Sequence, residues 1–71
     1  MVLSSIDPGK EVTLRGINGG IGLRSRLHGM GLVPGVTLTV LNQNGGGPVI
    51  IAVKDSRLAI GRGMAQKIMV E

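Results

Sequence analysis

One stretch of this chain carries helical periodicity, and the residues around it stop the helix twice over. Leu23, Leu27 and Met30 fall at i, i+4 and i+7, which stacks them on one face, while Arg24, Ser25 and His28 turn toward water. Gly29 weakens the interior of this short amphipathic helix, and Gly31, free to adopt positive φ, is its natural left-handed cap just past Met30. Leu32 stands where an apolar residue folds back onto the last turn of such a cap. Pro34-Gly35 follows with the pairing of a type II turn: Pro presets φ at the first corner and Gly supplies positive φ at the second. A helix ends, the chain reverses, and a strand begins. The rest of the sequence reads as β-structure, so the helix is expected to lie against the sheet or to plug a barrel end.

The strands are read from alternation. After a short apolar segment, Leu3 to Ile6, the turn Asp7-Pro8-Gly9 launches Lys10 to Ile17, with Val12 and Leu14 on one face and Glu11, Thr13 and Arg15 on the other. Asn18-Gly19-Gly20 ends it. Past the helix, Val36 to Leu41 alternates again, Val36, Leu38 and Val40 inward and Thr37 and Thr39 outward. Asn42 to Pro48, containing Gly45-Gly46-Gly47, reads as a flexible loop. Val49 to Val53 is apolar on both faces and β-branched, as in a central strand or one whose outer face is covered. Lys54 to Arg57 supplies the next reversal, Leu58-Ala59-Ile60 a short strand, and Gly61 to Gln66 a loop with a single helical turn. Lys67 to Val70 closes the chain with Ile68 and Val70 inward. About five short strands with one helix after the first is the plan of a small, strongly bent barrel whose glycines serve as corners.

Composition limits what such a domain can do. At 71 residues it is a single domain, residues 1–71, with a small core and no room for a deep active-site cleft. The apolar content, 42%, is aliphatic and Met only, so branched side chains fill the core without aromatic help. Lys and Arg outnumber Asp and Glu by eight to four, a net +4 that is dispersed rather than clustered and gives no more than a mild preference for acidic partners. Cysteine is absent, which removes disulfides and thiolate metal sites and leans toward the cytosol. No run approaches the roughly 18 apolar residues of a membrane span, so the chain is expected to be soluble, without direct membrane insertion.

The run Arg26-Leu27-His28-Gly29-Met30-Gly31-Leu32-Val33-Pro34-Gly35, the loop ending Gly47-Pro48-Val49 and the tail from Leu58 to Val70 resemble the FeoA family of ferrous iron transport accessory proteins. The likeness covers nearly the whole chain. Its pattern is Arg-Leu, a few residues, Gly-Leu, one residue and Pro-Gly, followed later by the Leu-Ala-Ile tail. This chain departs from it at Gly61, where many members carry a basic residue, and at Met64, where an acidic one is common. The resemblance implies a mainly β fold, an SH3-like barrel, in a cytoplasmic, non-enzymatic regulator. Its implied partner is the cytoplasmic part of FeoB, the GTPase-coupled permease for ferrous iron. The same fold occurs as the C-terminal domain of metal-dependent repressors, so a stand-alone relative of that domain is an alternative.

Residue chemistry narrows the function classes further. His28 is the only His, and with no Cys and no paired carboxylates beside it, it is expected to be a surface helix residue rather than a metal ligand. Gly20-Ile21-Gly22 and Gly61-Arg62-Gly63 lack the third Gly and the Lys-Ser/Thr ending of nucleotide loops, and corner glycines explain them. No nucleophile, base and orienter stand together, so neither catalysis nor a cofactor is expected. Arg24, Arg26, Lys54, Arg57 and Arg62 either converge into a basic patch or stay solvated singly, and Met30 and Met64 fill the core or offer an adaptable surface. Val33 and Leu41 have no inward role. A nucleic-acid-binding barrel is compatible with +4, but no aromatic is present on which unpaired bases could stack, and specific nucleic-acid binding is not expected. The same lack disfavours a groove for polyproline peptides. Recognition is therefore placed on the helix and its corner, at Arg24, Arg26, His28, Met30, Gly31, Val33, Pro34 and Gly35, with weak homo-oligomerisation as a further expectation.

Overall fold

The structure is a computed structural model and describes residues 1–43 and 45–71. After a single 3-10 turn at Leu3–Ser5 come β1 (Glu11–Ile17), α1 (Ile21–Gly29), β2 (Thr37–Gln43), β3 (Val49–Val53), β4 (Ser56–Ile60), the one-turn α2 (Arg62–Ala65) and β5 (Ile68–Val70). The strands form one antiparallel sheet in the order β4-β3-β2-β1-β5. β1 is shared along its length: Glu11 to Thr13 pair with β2, and Leu14 to Ile17 pair with β5. A register shift between Leu14 and Gly16 marks the changeover, and a second between Val40 and Asn42 bends β2.

The inward residues are those the alternation marks. Val12 and Leu14, Leu38 and Val40, Val49, Ile51 and Val53, and Ile68 and Val70 are all buried, joined by Leu3, Ile6, Leu27, Leu32, Ile60 and Ala65. Val36 falls just before β2 and is half-buried. β3 lies between β2 and β4, which accounts for its apolar character. Its outward residues Ile50 and Ala52 are half-buried, so that face is covered only in part.

The expectation of an SH3-like barrel is not met. The sheet stays open, with β4 and β5 as its edges and no pairing between them. The outer edge of three-residue β5 is taken instead by the start of the chain: Val2 bridges Met69, the Val70 amide donates to Met1 O at 2.8 Å, and the Met1 amino group donates to Val70 O at 3.3 Å. A strand edge already paired in this way cannot accept β4.

Two boundaries also differ. The loop expected over Asn42 to Pro48 begins later, because Asn42 and Gln43 belong to β2 and pair with Ile50 and Val49, while Asn44 lies outside the described residues. The reversal expected over Lys54 to Arg57 is only the two residues Lys54 and Asp55, with Ser56 already paired to Val53. Lys54 makes this possible by adopting φ 55°, a left-handed conformation that its residue type does not announce.

Candidate partner-binding surface

The end of α1 is a complete Schellman motif. The Gly31 amide donates to His28 O and the Leu32 amide to Leu27 O, both at 3.0 Å, with Gly31 at φ 89°. Leu27 and Leu32 are both fully buried, so the apolar pair that accompanies such a cap also pins the helix to the core. Leu27 is the only fully buried side chain of α1, flanked by half-buried Leu23 and Met30. The corner that follows is the expected type II turn: the Val36 amide donates to Val33 O at 3.1 Å, and Gly35 has φ 95°. It is fastened to β1, because the Gly35 amide donates to Leu14 O and the Leu14 amide donates to Val36 O, each at 2.8 Å.

On this fixed frame Arg24, Arg26, His28, Gly31, Val33, Pro34 and Gly35 are all exposed, and Met30 is half-buried. Helical spacing divides them. Arg24 and Arg26 are about 160° apart around the axis at 3.6 residues per turn, so they lie on opposite flanks of α1. Arg24 shares the outermost face with His28 and Ile21, whereas Arg26 neighbours Met30 one turn on, beside the cap and the corner. Ile21 is the residue that sequence reasoning missed. It is the most exposed large apolar side chain described, at 78%, and belongs to no inward stripe; its i+3, i+4 and i+7 partners Arg24, Ser25 and His28 were the available signal.

The five cations that could form one patch divide among α1, the β3–β4 hairpin and α2. Lys54 and Arg57 are exposed in the β3–β4 hairpin, on different elements from Arg24 and Arg26. Arg62 is half-buried and already engaged: its Nε donates to Gly47 O at 3.2 Å and its Nη1 to Gln43 Oε1 at 3.4 Å. The Gln43 amide nitrogen in turn donates to Ile6 O, so Arg62 and Gln43 link α2, the loop after β2 and the first segment of the chain. Met64, the third residue of α2, packs half-buried against the core. Of the other two residues without an inward role, Val33 is 41% and Leu41 40% exposed, Leu41 as the extra residue of the β2 bulge.

The chemistry available here is that of contact. Among the described residues no three His, Cys, Asp or Glu side chains come together, and His28 stands on an open helix face. A recess of ≈ 270 Å³ lies elsewhere, lined by Met1, Ser5 to Asp7 and Lys10 to Val12, with charges of both signs at its rim. No described helix is long and apolar enough to cross a membrane.

Comparison with known proteins agrees with this small, mostly β fold. The FeoA domain model matches residues 1–71. The provisionally named Fe(2+) transport protein A of Methanocaldococcus jannaschii is 53% identical over 64 residues, covering 89% of this chain and 76% of that protein. A crystal structure of an iron uptake regulatory protein, FeoA, superposes with a TM-score of 0.94 at 42% identity, over 100% of this chain and 95% of the other. The solution structure of FeoA from Chlorobium tepidum gives 0.89 at 29% identity, over 100% and 69%. With the family model matched from first residue to last and half the residues shared with a transport protein A, this chain belongs to the FeoA family.

Proposed function

We propose that this chain is a small cytoplasmic accessory protein of ferrous iron uptake, and that it docks through the α1 cap and the Pro34-Gly35 corner onto the cytoplasmic part of an FeoB-type GTPase permease. FeoA-family proteins are non-catalytic and act with such permeases. The observation that carries the choice of surface is the joining of exposed cations and apolar groups on a frame held by the Schellman cap and by two hydrogen bonds to Leu14. A pre-shaped patch loses little conformational entropy on binding, and cations beside apolar groups suit an acidic, partly apolar partner.

The test is calorimetric titration of the purified cytoplasmic part of the permease with single charge reversals. Arg26→Glu is expected to weaken binding about tenfold while leaving the melting temperature nearly unchanged, because its side chain is exposed and unpaired among the described residues. Arg24→Glu, on the opposite flank, reports which side of α1 faces the partner. If Arg26→Glu binds normally while Arg57→Glu abolishes binding, recognition lies on the β3–β4 hairpin and the proposal fails. Total RNA serves as the control: with dispersed charge, any affinity for it is expected to be non-specific and to vanish steeply with salt.

A further inference from the structure

The two edges of the sheet are treated differently. That of β5 is covered by Met1 and Val2, whereas that of β4 is bare, with Ser56, Arg57 and Ala59 exposed and Leu58 only half-buried. Lys54 and Asp55 form a two-residue turn, so Val53–Ser56, Ile51–Leu58 and Val49–Ile60 are the pairs whose backbone groups bond across the ladder. The N–H and C=O groups of Arg57 and Ala59 consequently point off the edge, and no other described backbone segment bonds to them. β4 also carries few of the usual protections of an edge. It has no proline, no bulge and no inward charge, and Arg57 is its one charged residue.

We propose that β4 is a self-association edge: two copies of this chain pair β4 with β4 in antiparallel fashion about a twofold axis at Leu58, joining their sheets into one. The occupant is identified by self-complementarity. Inverting β4 about Leu58 sets the outward groups of Arg57 against those of Ala59 in the second copy, and those of Ala59 against Arg57, so all four bonding groups on each edge are used. The same inversion places each guanidinium opposite a small neutral side chain. A register centred on Arg57 would instead oppose two like charges. Leu58 meets Leu58 across the axis as a close, non-bonded pair on the core side, where each covers the other's remaining exposed surface. Pairing over three residues makes a small interface, so the dimer is weak and forms toward millimolar concentration.

Two measurements on the intact chain test this. Sedimentation equilibrium from micromolar to millimolar concentration is expected to show a monomer–dimer equilibrium. Amide hydrogen exchange is expected to show Arg57 and Ala59, open in dilute solution, gaining protection as concentration rises. Ala59 is exposed, so its substitution spares the fold, and its charge sets the sign of the effect. Ala59→Glu, facing Arg57 of the second copy twice, is expected to tighten the dimer about 2- to 30-fold, and Ala59→Lys to weaken it by a similar factor. A defect in folding cannot produce opposite shifts. The proposal is overturned by a chain that stays monomeric to about 1 mM, or by a dimer that responds alike to both substitutions. It is also overturned if the Arg57 and Ala59 amides become protected only when the permease fragment is added, since the edge would then serve a strand of that partner. None of these readouts uses the α1 surface, so failure here and failure of the docking proposal are separable.

Discussion

Truncating Leu27 to alanine probes the point at which helix, cap and core meet. The side chain is fully buried, is the only such residue in α1, and supplies one half of the apolar pair with Leu32 beneath the Gly31 cap. Removing three carbons loses about 2.4 kcal/mol of transfer free energy at ~0.8 kcal/mol per methylene, and the cavity left behind brings the total to about 2–5 kcal/mol. A 71-residue domain has on the order of 4–10 kcal/mol in all, so the variant is expected to melt roughly 10–35 °C lower. With no Trp or Tyr in the chain, the transition is followed by far-ultraviolet circular dichroism rather than by intrinsic fluorescence. Leu27→Met, which roughly conserves volume, is expected to cost less than about 1.5 kcal/mol. Hydrogen exchange then separates two mechanisms. Because Leu27 belongs to the same cluster as Leu14, Leu38 and Ile51, protection is expected to fall in the sheet as well as in α1. A loss under about 1 kcal/mol, with exchange altered only in residues 21–31, would refute the reasoning: α1 would then be an appendage and its surface no rigid frame.

Other substitutions test the backbone and the polar ties. Gly29→Ala, in helical conformation with open space at its Cβ position, is expected to stabilise the fold by about 0.5–1 kcal/mol, whereas Gly31→Ala, at φ 89°, is expected to destabilise it by about 1 kcal/mol, both read from thermal melts. Lys54→Gly is expected to raise stability by about 0.5–1 kcal/mol by relieving the left-handed residue of the β3–β4 turn; a lower melting temperature would show that the turn is set otherwise. Arg62→Ala is expected to lose about 1–2 kcal/mol through its bonds to Gly47 and Gln43 while leaving affinity for the permease fragment unchanged, and Arg62→Lys is expected to recover little because it cannot reproduce the forked geometry.

What the sequence made legible was local. Gly31 after Met30, Leu32 beyond it and Pro34-Gly35 each specify a backbone conformation within four or five residues, and all three are present as read. The alternation in β1, β2 and β5 was legible for the same reason, since one face of each strand must be apolar. Closure of the sheet was not, because whether β4 meets β5 is decided by Met1 and Val2, nearly the whole chain away from Met69 and Val70. Lys54 in a left-handed turn gave no signal, as lysine has no preference for that conformation. Arg62 read as one more surface cation because its partners are a carbonyl at Gly47 and the Gln43 side chain, which no spacing rule connects to it. At the candidate surface, exposure of Arg24 and His28, with Ser25 between them, follows from the helix wheel, whereas Arg26 lies beside the inward Met30 and its exposure does not. The division of Arg24 and Arg26 between two flanks is legible in the same spacing, and Ile21 lies outside the stripe that begins at Leu23.

The pairing of Val2 with Met69 has a meaning for how the chain is made. β1 leaves the ribosome early, yet half its length waits for β5, and Val2 waits with it. While translation continues at about 5–20 residues per second, Leu14 to Ile17 present an unpaired backbone edge that only β5 can close. The nascent chain can assemble β1, β2, β3 and β4 by successive local pairings, but its last seam is sewn only once Val70 has cleared the exit tunnel. Completion of this domain is therefore timed by the emergence of β5, the strand that lies furthest along the chain from the Val2 it bridges.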